Sequence, residues 1–426
     1  MYKPVLRHLA ILFSLLTLIF VQACCPEDDD TPEQPQTPHT LLYYFVGTDL
    51  SYYFGNNISA AGKALAALTE AGGVLAEEEN KSRVLCFIQR SKTSAEIIEL
   101  KYADGLFEQE VLASYEVPKA MTSEQMGSYL KDMIELAPAV SYGLVMGGHS
   151  RAWTLVNSPD FYATTSDYGI GRPQFRRYWE RDPEALVTRF FGEGYPFFSS
   201  YSEGASNFFD ITDIASALSS TGVKFEYAIY DACFMSNIES LYDLRNNSKY
   251  AIASVSEVMG NGFPYDRIIP HLFKTNGKSF DLESVCYEFY DYYRTSAGYS
   301  GSVALTDCTE LDALAAATKR VNNGSKNEVD NGDLQYYDGL NPHLFFDFGQ
   351  YINALCADEA TRTAFQTQLD KTIVCKYTLN SFYTGLKPYR GTHKIDTEAY
   401  SGVTTSQPSE MYRSEYESTA WYKATH

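Results

Sequence analysis

The chain from residue 41 onward alternates between two kinds of pattern. Leu41-Leu-Tyr-Tyr-Phe-Val46 and Val84-Leu-Cys-Phe-Ile88 are unbroken apolar runs, too short for helices and rich in aromatic and β-branched residues. They predict strands buried on both faces. Between them Ala61, Leu65 and Leu68 share one face of a 3.6-residue period, predicting a helix from about Asn57 after the turn Gly47-Thr-Asp-Leu50. Over residues 95–102 and 108–115 apolar and polar positions alternate instead, which predicts a hairpin-like pair. Thr122 or Ser123 then caps a helix carrying Met126, Tyr129, Leu130, Met133 and Ile134 on its apolar face, and Pro138 ends it. Residues 142–146 and 225–230 predict central strands, with 250–254 and 302–305 continuing the sheet. Thr212 opens a helix ahead of the second central strand, and residues 311–321 form another before a polar loop over 322–338. Strand and helix in succession predict an α/β fold: a mostly parallel sheet flanked by helices, with a C-terminal extension.

The first 40 residues follow a different pattern. Lys3 and Arg7 precede an apolar run from Leu9 to Val21, which ends in Val21-Gln-Ala-Cys24. A basic start, an apolar run short of the roughly 20 residues a spanning helix needs, and small residues before a cut site predict a signal peptide over residues 1–23. A cysteine at the cut site makes it a lipoprotein signal with Cys24 as the lipidated N-terminus. Residues 25–39 hold four prolines and five acids with no large apolar side chain, so residues 24–39 predict a solvated tether. The acidic cluster after Cys24 resembles the surface-export signal of Bacteroidetes lipoproteins. It implies a cell-envelope protein at the outer membrane or cell surface of a Gram-negative bacterium.

Net charge is −20 over 426 residues; residues 1–23 hold Lys3 and Arg7 and no acid, so removing them gives −22. Such a surface disfavours nucleic acid and favours basic ligands. Six cysteines remain beyond Cys24 and Cys25, and a core of this size needs no disulfides. No metal-ligand cluster stands out, and Asp330-Asn-Gly-Asp333 lacks the spacing of a calcium loop.

Candidate chemistry lies at two strand ends. The run Phe225-Glu-Tyr-Ala-Ile-Tyr-Asp231 stops at an acid and a thiol follows at Cys233, ahead of a helical spacing of Ile238, Leu241, Tyr242 and Arg245. Tyr142-Gly-Leu-Val-Met146 ends in Gly147-Gly-His-Ser150. The carboxyl edge of a parallel sheet is where ligands collect. Adjacent strands would bring His149 and Cys233 together there, and an imidazole beside a thiol makes a nucleophile. On spacing alone, Cys233 also fits a small packed hydrophobe and His149 a hydrogen-bonded loop residue.

Tyr230-Asp-Ala-Cys-Phe-Met-Ser-Asn-Ile-Glu239, followed by Ala253-Ser-Val-Ser-Glu257 and Gly262-Phe-Pro-Tyr-Asp266, resembles the cysteine motif of the clostripain family. That family shares a clan with caspases, gingipains and legumains. The resemblance runs with gaps from about Leu41 to the end and implies a caspase-like peptidase domain over residues 40–310, with 311–426 packing on or completing it. It implies a cysteine endopeptidase with His149 as general base and Cys233 as nucleophile, a dyad needing no third residue. Asp231, two residues before the nucleophile, falls at the S1 position and would favour a basic P1 residue, Arg over Lys. The Asp could instead cap the following helix. Ser150 joins the substrate-binding turn, which departs from the Gly-rich family pattern by reading His149-Ser-Arg-Ala-Trp153. The sequence itself requires no cofactor; the resemblance makes calcium possible, since the family often uses it, and implies a zymogen cut after a basic residue between the His and the Cys. Residues 151–210, with Arg172, Arg176, Arg177, Arg181 and Arg189, are where such a cut would fall. The implied partners are peptide or protein substrates with basic P1, and a membrane through Cys24. The competing reading is a surface lipoprotein that binds glycan or protein through aromatic loops without catalysis. It has no use for a reactive Cys233.

Overall fold

Each apolar run is a strand that feeds two cores at once. In β1 (Thr40–Phe45) all six residues are buried. Leu42 and Tyr44 pack into one hydrophobic cluster while Leu41, Tyr43 and Phe45 pack into another on the opposite face of the sheet. Successive side chains of a strand alternate faces, so a run without polar residues must be covered on both sides. The computed structural model describes residues 37–70, 82–103, 106–118, 121–155, 162–165, 174–177, 179, 181–182, 184–189, 209–273, 279–296, 299–325 and 327–426. The expected signal peptide, Cys24 and residues 24–36 of the expected tether lie outside them. Among the described residues no helix is long and apolar enough to cross a membrane.

The main sheet joins β1 to β2 (Arg83–Ser91), β3 (Ser94–Ala103), β4 (Leu106–Glu116), β5 (Tyr142–Gly147), β8 (Phe225–Asp231), β9 (Ser248–Ala253), β10 (Val303–Asp307) and β12 (Ile373–Tyr377). Their order is β12-β10-β9-β8-β5-β1-β2-β3-β4. The five central strands are parallel, and β3 and β10 run against them. The pair β3 and β4 is the hairpin expected from the alternating pattern. The reversed direction of β10 is not visible in its apolar run, because burial sets which residues form a strand and not which way it points. Between β5 and β8 lies a short separate hairpin, β6 (Tyr162–Thr165) with β7 (Gln174–Arg177), and β11 (Phe346–Asp347) pairs outside the main sheet with residues 404–405.

Helices cover both faces. Those at Ser123–Leu136, Ile211–Ser220, Ile238–Leu244 and Leu311–Gly324 feed the first cluster; those at Ser51–Glu70 and Leu282–Ser296 feed the second. Thr122 closes a capping box with Gln125. Two helices begin earlier than their apolar periods suggest. Ile211–Ser220 opens at Asp210, whose N–H donates to Asp213 Oδ2 at 3.3 Å. Ser51–Glu70 starts six residues before Asn57, because Phe54 is fully buried and stacks on Phe45 at 4.5 Å. The fold also starts at Thr37, inside the stretch read as tether. Val140 N–H donates to Thr37 O (2.9 Å), and His39 is buried with Nδ1 2.9 Å from Ser141 Oγ and Nε2 3.1 Å from Tyr227 OH.

Residues 311–426 supply edge strand β12 and much of the first core. Trp421 is fully buried against Tyr242 (5.3 Å) and Phe348 (5.7 Å). Trp153 Nε1, just after the His149 turn, donates to Ser406 Oγ at 2.9 Å. Trp421→Ala should cost about 3–5 kcal/mol, as loss of a large buried aromatic does. A urea-melt midpoint within error of the wild type would show that the C-terminal helix is not part of the cooperative core.

Candidate active site

Strand pairing brings the two expected groups to one edge. β5 and β8 are adjacent and parallel, with Gly147 opposite Asp231, and Gly148 N–H donates to Asp231 O at 3.4 Å. His149 and Cys233 each lie two residues beyond that matched pair. Gly147 permits the close approach of β1, since a Cβ there would stand 2.5 Å from Phe45 Cδ1.

Cys233 is held by a strained turn. Phe234 has φ 61°, a left-handed conformation that a bulky residue adopts at a cost of roughly 1–2 kcal/mol. Its N–H donates to Ser256 O (3.1 Å) and its ring stacks on Phe345 at 4.8 Å, contacts that offset the strain. The chain then reaches Asn237, which caps the helix Ile238–Leu244 by accepting from Ser240 N–H. Asp231 is therefore not the cap. Cys233 Sγ accepts from Val258 N–H at 3.3 Å. Burial pushes the Cys233 thiol well above its ordinary value, with Glu257 adding to the rise. Burial likewise lowers the His149 imidazole, helped by Arg151, Arg189 and Arg181. Both shifts favour the uncharged forms of the two groups.

His149 has a carboxylate partner. Its Nε2 lies 2.7 Å from Oδ2 of Asp49, in the turn after β1. Ser150 is buried; its hydroxyl donates to Met235 Sδ (2.9 Å) and accepts from Ala152 N–H (2.9 Å). The side chain thus braces the turn that carries His149.

Asp231 is fully buried and meets a cation from the chain itself. Arg189 Nη1 donates to Asp231 Oδ2 at 2.6 Å, Nη2 to Asn57 Oδ1 at 2.5 Å, and Nε to Gly260 O at 3.2 Å. The same carboxylate oxygen accepts from Tyr265 OH (2.5 Å) and Phe263 N–H (3.4 Å). Burial raises the Asp231 carboxyl, and the guanidinium opposes that rise. The pocket fits around Gly262, where φ is 66° and a Cβ would stand 2.3 Å from Arg189 Cζ.

Main-chain bonds fix the same segment. Arg189 N–H donates to Val258 O (2.6 Å), Gly260 N–H donates to Val187 O (2.7 Å), and Thr188 bridges Met259 in antiparallel register. Cys233 N–H donates to Arg189 O at 2.6 Å. Residues 187–189 therefore lie as an added strand with the Arg189 carbonyl on the Cys233 N–H. Of the other five arginines in residues 151–210, Arg151 is buried directly after Ser150, Arg176 and Arg177 stand in β7, Arg181 donates to Ala185 O and Leu186 O, and Arg172 lies outside the described residues.

Asp49, Asn57 and Gly260 join the site without having been singled out. Asp49 looked like a turn residue and Asn57 like a helix start; only tertiary pairing reveals their partners. The described cysteines are all free thiols. Among the described residues no three His, Cys, Asp or Glu side chains gather in a cluster that could hold a metal ion.

Residues 192–424, more than half of the chain, match the sequence profile of the clostripain family. Among solved structures, iotapain, a secreted C11 cysteine protease from Bacteroides thetaiotaomicron, is 32% identical with a TM-score of 0.74, covering 92% of this chain and 99% of that one. An inactive zymogen C11 protease from Parabacteroides distasonis has the same fold at 24% identity and TM-score 0.70, covering 92% and 99%. A further secreted C11 cysteine protease from B. thetaiotaomicron, solved with an irreversible peptide inhibitor, shares the fold at 22% identity and TM-score 0.69, covering 91% and 98%. No curated protein matches. A family profile that matches more than half of the chain, with a fold shared with iotapain over 92% of it at 32% identity, places this protein in the clostripain family of cysteine peptidases.

Proposed function

We propose that the protein is an endopeptidase that cuts after arginine through His149 and Cys233, and that it is made as a precursor blocked by its own Arg189. One observation carries this reading: the Arg189 guanidinium sits on Asp231 while the Arg189 carbonyl accepts from Cys233 N–H. That is the placement of a P1 residue whose carbonyl oxygen faces an oxyanion donor. The bond presented is Arg189–Phe190.

The residues fit the roles as follows. His149 is the general base that takes the thiol proton, and Asp49, 2.7 Å from its Nε2, orients the ring. The thiolate attacks the carbonyl carbon, and the oxyanion is held by Cys233 N–H with a second donor from the His149–Ser150 turn, each worth roughly 3 kcal/mol. His149 then returns the proton to the leaving amine, and water hydrolyses the thioester. Arginine outranks lysine because its guanidinium reaches Asp231, Asn57 and Gly260 O at once, which an ammonium cannot do in that planar fork. The leader's pattern supports a lipid anchor at Cys24 that would hold the enzyme at the cell envelope. The acidic surface would collect basic substrates.

Cys233→Ala and His149→Ala should each abolish cleavage of Arg-containing fluorogenic peptides while circular dichroism stays unchanged. Full activity in Cys233→Ala would end the mechanism, and an unreactive thiol in a cut, folded enzyme would favour the binding-protein reading.

Self-cleavage should give a fragment whose first residue is Phe190. Mass spectrometry of wild type beside Cys233→Ala decides it: the same single intact mass in both refutes self-processing, and a cut elsewhere refutes Arg189.

Peptides differing only at P1 should be cut after Arg, more slowly after Lys, and at near-zero rates after Asp or Asn. Asp231→Asn should lower kcat/KM for Arg by about 100-fold, since one member of a buried charge pair is removed. Unchanged Arg selectivity in that variant would move S1 elsewhere.

A further inference from the structure

The segment in the cleft also presents the residue before Arg189, and its side chain meets a second buried acid. Thr188 Oγ1 donates to Glu257 Oε2 at 2.6 Å. Glu257 is buried, and its other oxygen accepts from Thr384 Oγ1 (2.6 Å) and Gly385 N–H (3.0 Å). Thr384 ends β13 (Ser381–Thr384), in the C-terminal region, so this carboxylate is held from a different part of the chain than Asp231. Neighbouring side chains of an extended strand point to opposite sides. Arg189 enters the Asp231 pocket and Thr188 turns to Glu257.

We propose that Glu257 forms an S2 subsite selective for a small hydroxylated residue, threonine or serine, at P2; the proposal rests on reading residues 187–189 as a substrate-like occupant. Oε1 already has two donors. Oε2 takes its hydrogen bond from Thr188, so a cleft emptied of that segment leaves a buried carboxylate oxygen in need of a donor. A threonine supplies the donor in the volume the cleft already holds. Valine has the same shape and no donor, so it buries the oxygen unsatisfied. An acidic P2 residue would face a like charge. Specificity of this kind comes from the penalty on the analogue that lacks the group, as in sites built around a substrate hydroxyl.

The test uses processed enzyme and peptides with Arg at P1 that differ only at P2. Thr and Ser should be cut with kcat/KM about tenfold above Val, the scale of a hydrogen bond to a charged acceptor. Glu257→Gln should narrow that ratio several-fold. In the precursor, Thr188→Val should slow release of the Phe190 fragment, and Thr188→Ser should keep the wild-type rate. Equal rates for Thr and Val peptides, with the Arg preference intact, overturn the S2 assignment and leave S1 standing. So does wild-type self-cleavage by Thr188→Val, which needs no change at Glu257. Absence of cleavage after Arg in every peptide removes both readings together.

Discussion

The buried ion pair between Arg189 and Asp231 is the contact on which the rest of the site depends. Both side chains are fully buried, and taking two charges out of water costs several kcal/mol each unless they meet each other and further hydrogen bonds. Here the guanidinium finds Asp231, Asn57 and a backbone carbonyl, while the carboxylate finds Arg189, Tyr265 and Phe263 N–H. Neither partner can be withdrawn without leaving a buried charge alone. The pocket is thus one that calls for a cation at all times, and the arginine in it carries the adjoining carbonyl to the thiol.

The sheet makes that arrangement possible by fixing distances that loops could not. Parallel pairing sets Gly147 against Asp231, and each strand then delivers its candidate residue, His149 or Cys233, two positions later. The loops are braced from outside the sheet. Ser236 accepts from Thr404 N–H, and Glu239 in the following helix accepts from Thr405 Oγ1 and Ser406 N–H. The tail therefore holds the cysteine loop from behind, and Thr384 and Gly385 hold Glu257 from the side. A region that adds only one edge strand to the sheet supplies much of the stiffness of the site.

How much of this could be read from the chain depends on where each signal is stored. Continuous apolar runs marked β1, β2, β5 and β8, because burial on both faces leaves no room for polar residues. The same runs, with the motif around Cys233, placed His149 and Cys233 at strand ends and Asp231 beside them. Asp49 and Asn57 left no such mark. Each is a short polar residue among turn formers, and its role is set by a partner 100 or 132 positions away. Arg189 is one of six arginines in a long segment, and nothing in its neighbours distinguishes it. Glu257 closes the Ala253-Ser-Val-Ser-Glu257 stretch, but its partner Thr384 sits 127 positions on, in a part of the chain whose resemblance is weakest. The direction of β10 was equally silent, since pairing order is a property of connections and not of composition.

The contacts that dock the segment also say what a cut after Arg189 would change. Upstream of Arg189, Asp182 N–H donates to Gly385 O at 2.8 Å, and Arg390 pairs with Asp182 at 3.4 Å and with Glu184 at 3.5 Å. The Arg390 pairs are partly exposed and each adds little, as ion pairs in contact with water do. While the chain is whole, Arg189 is held from both sides, so its effective concentration at the pocket is high. A cut removes one tether and creates a carboxylate at Arg189, beside the sulfur it has just left. If His149 and Cys233 act as an ion pair, that carboxylate would face a thiolate at short range in a poorly solvated cleft, where like charges repel strongly. On the proposed reading the chemistry that opens the bond would weaken the hold of its product, and Asp231 would be left to pair with the next cation that arrives.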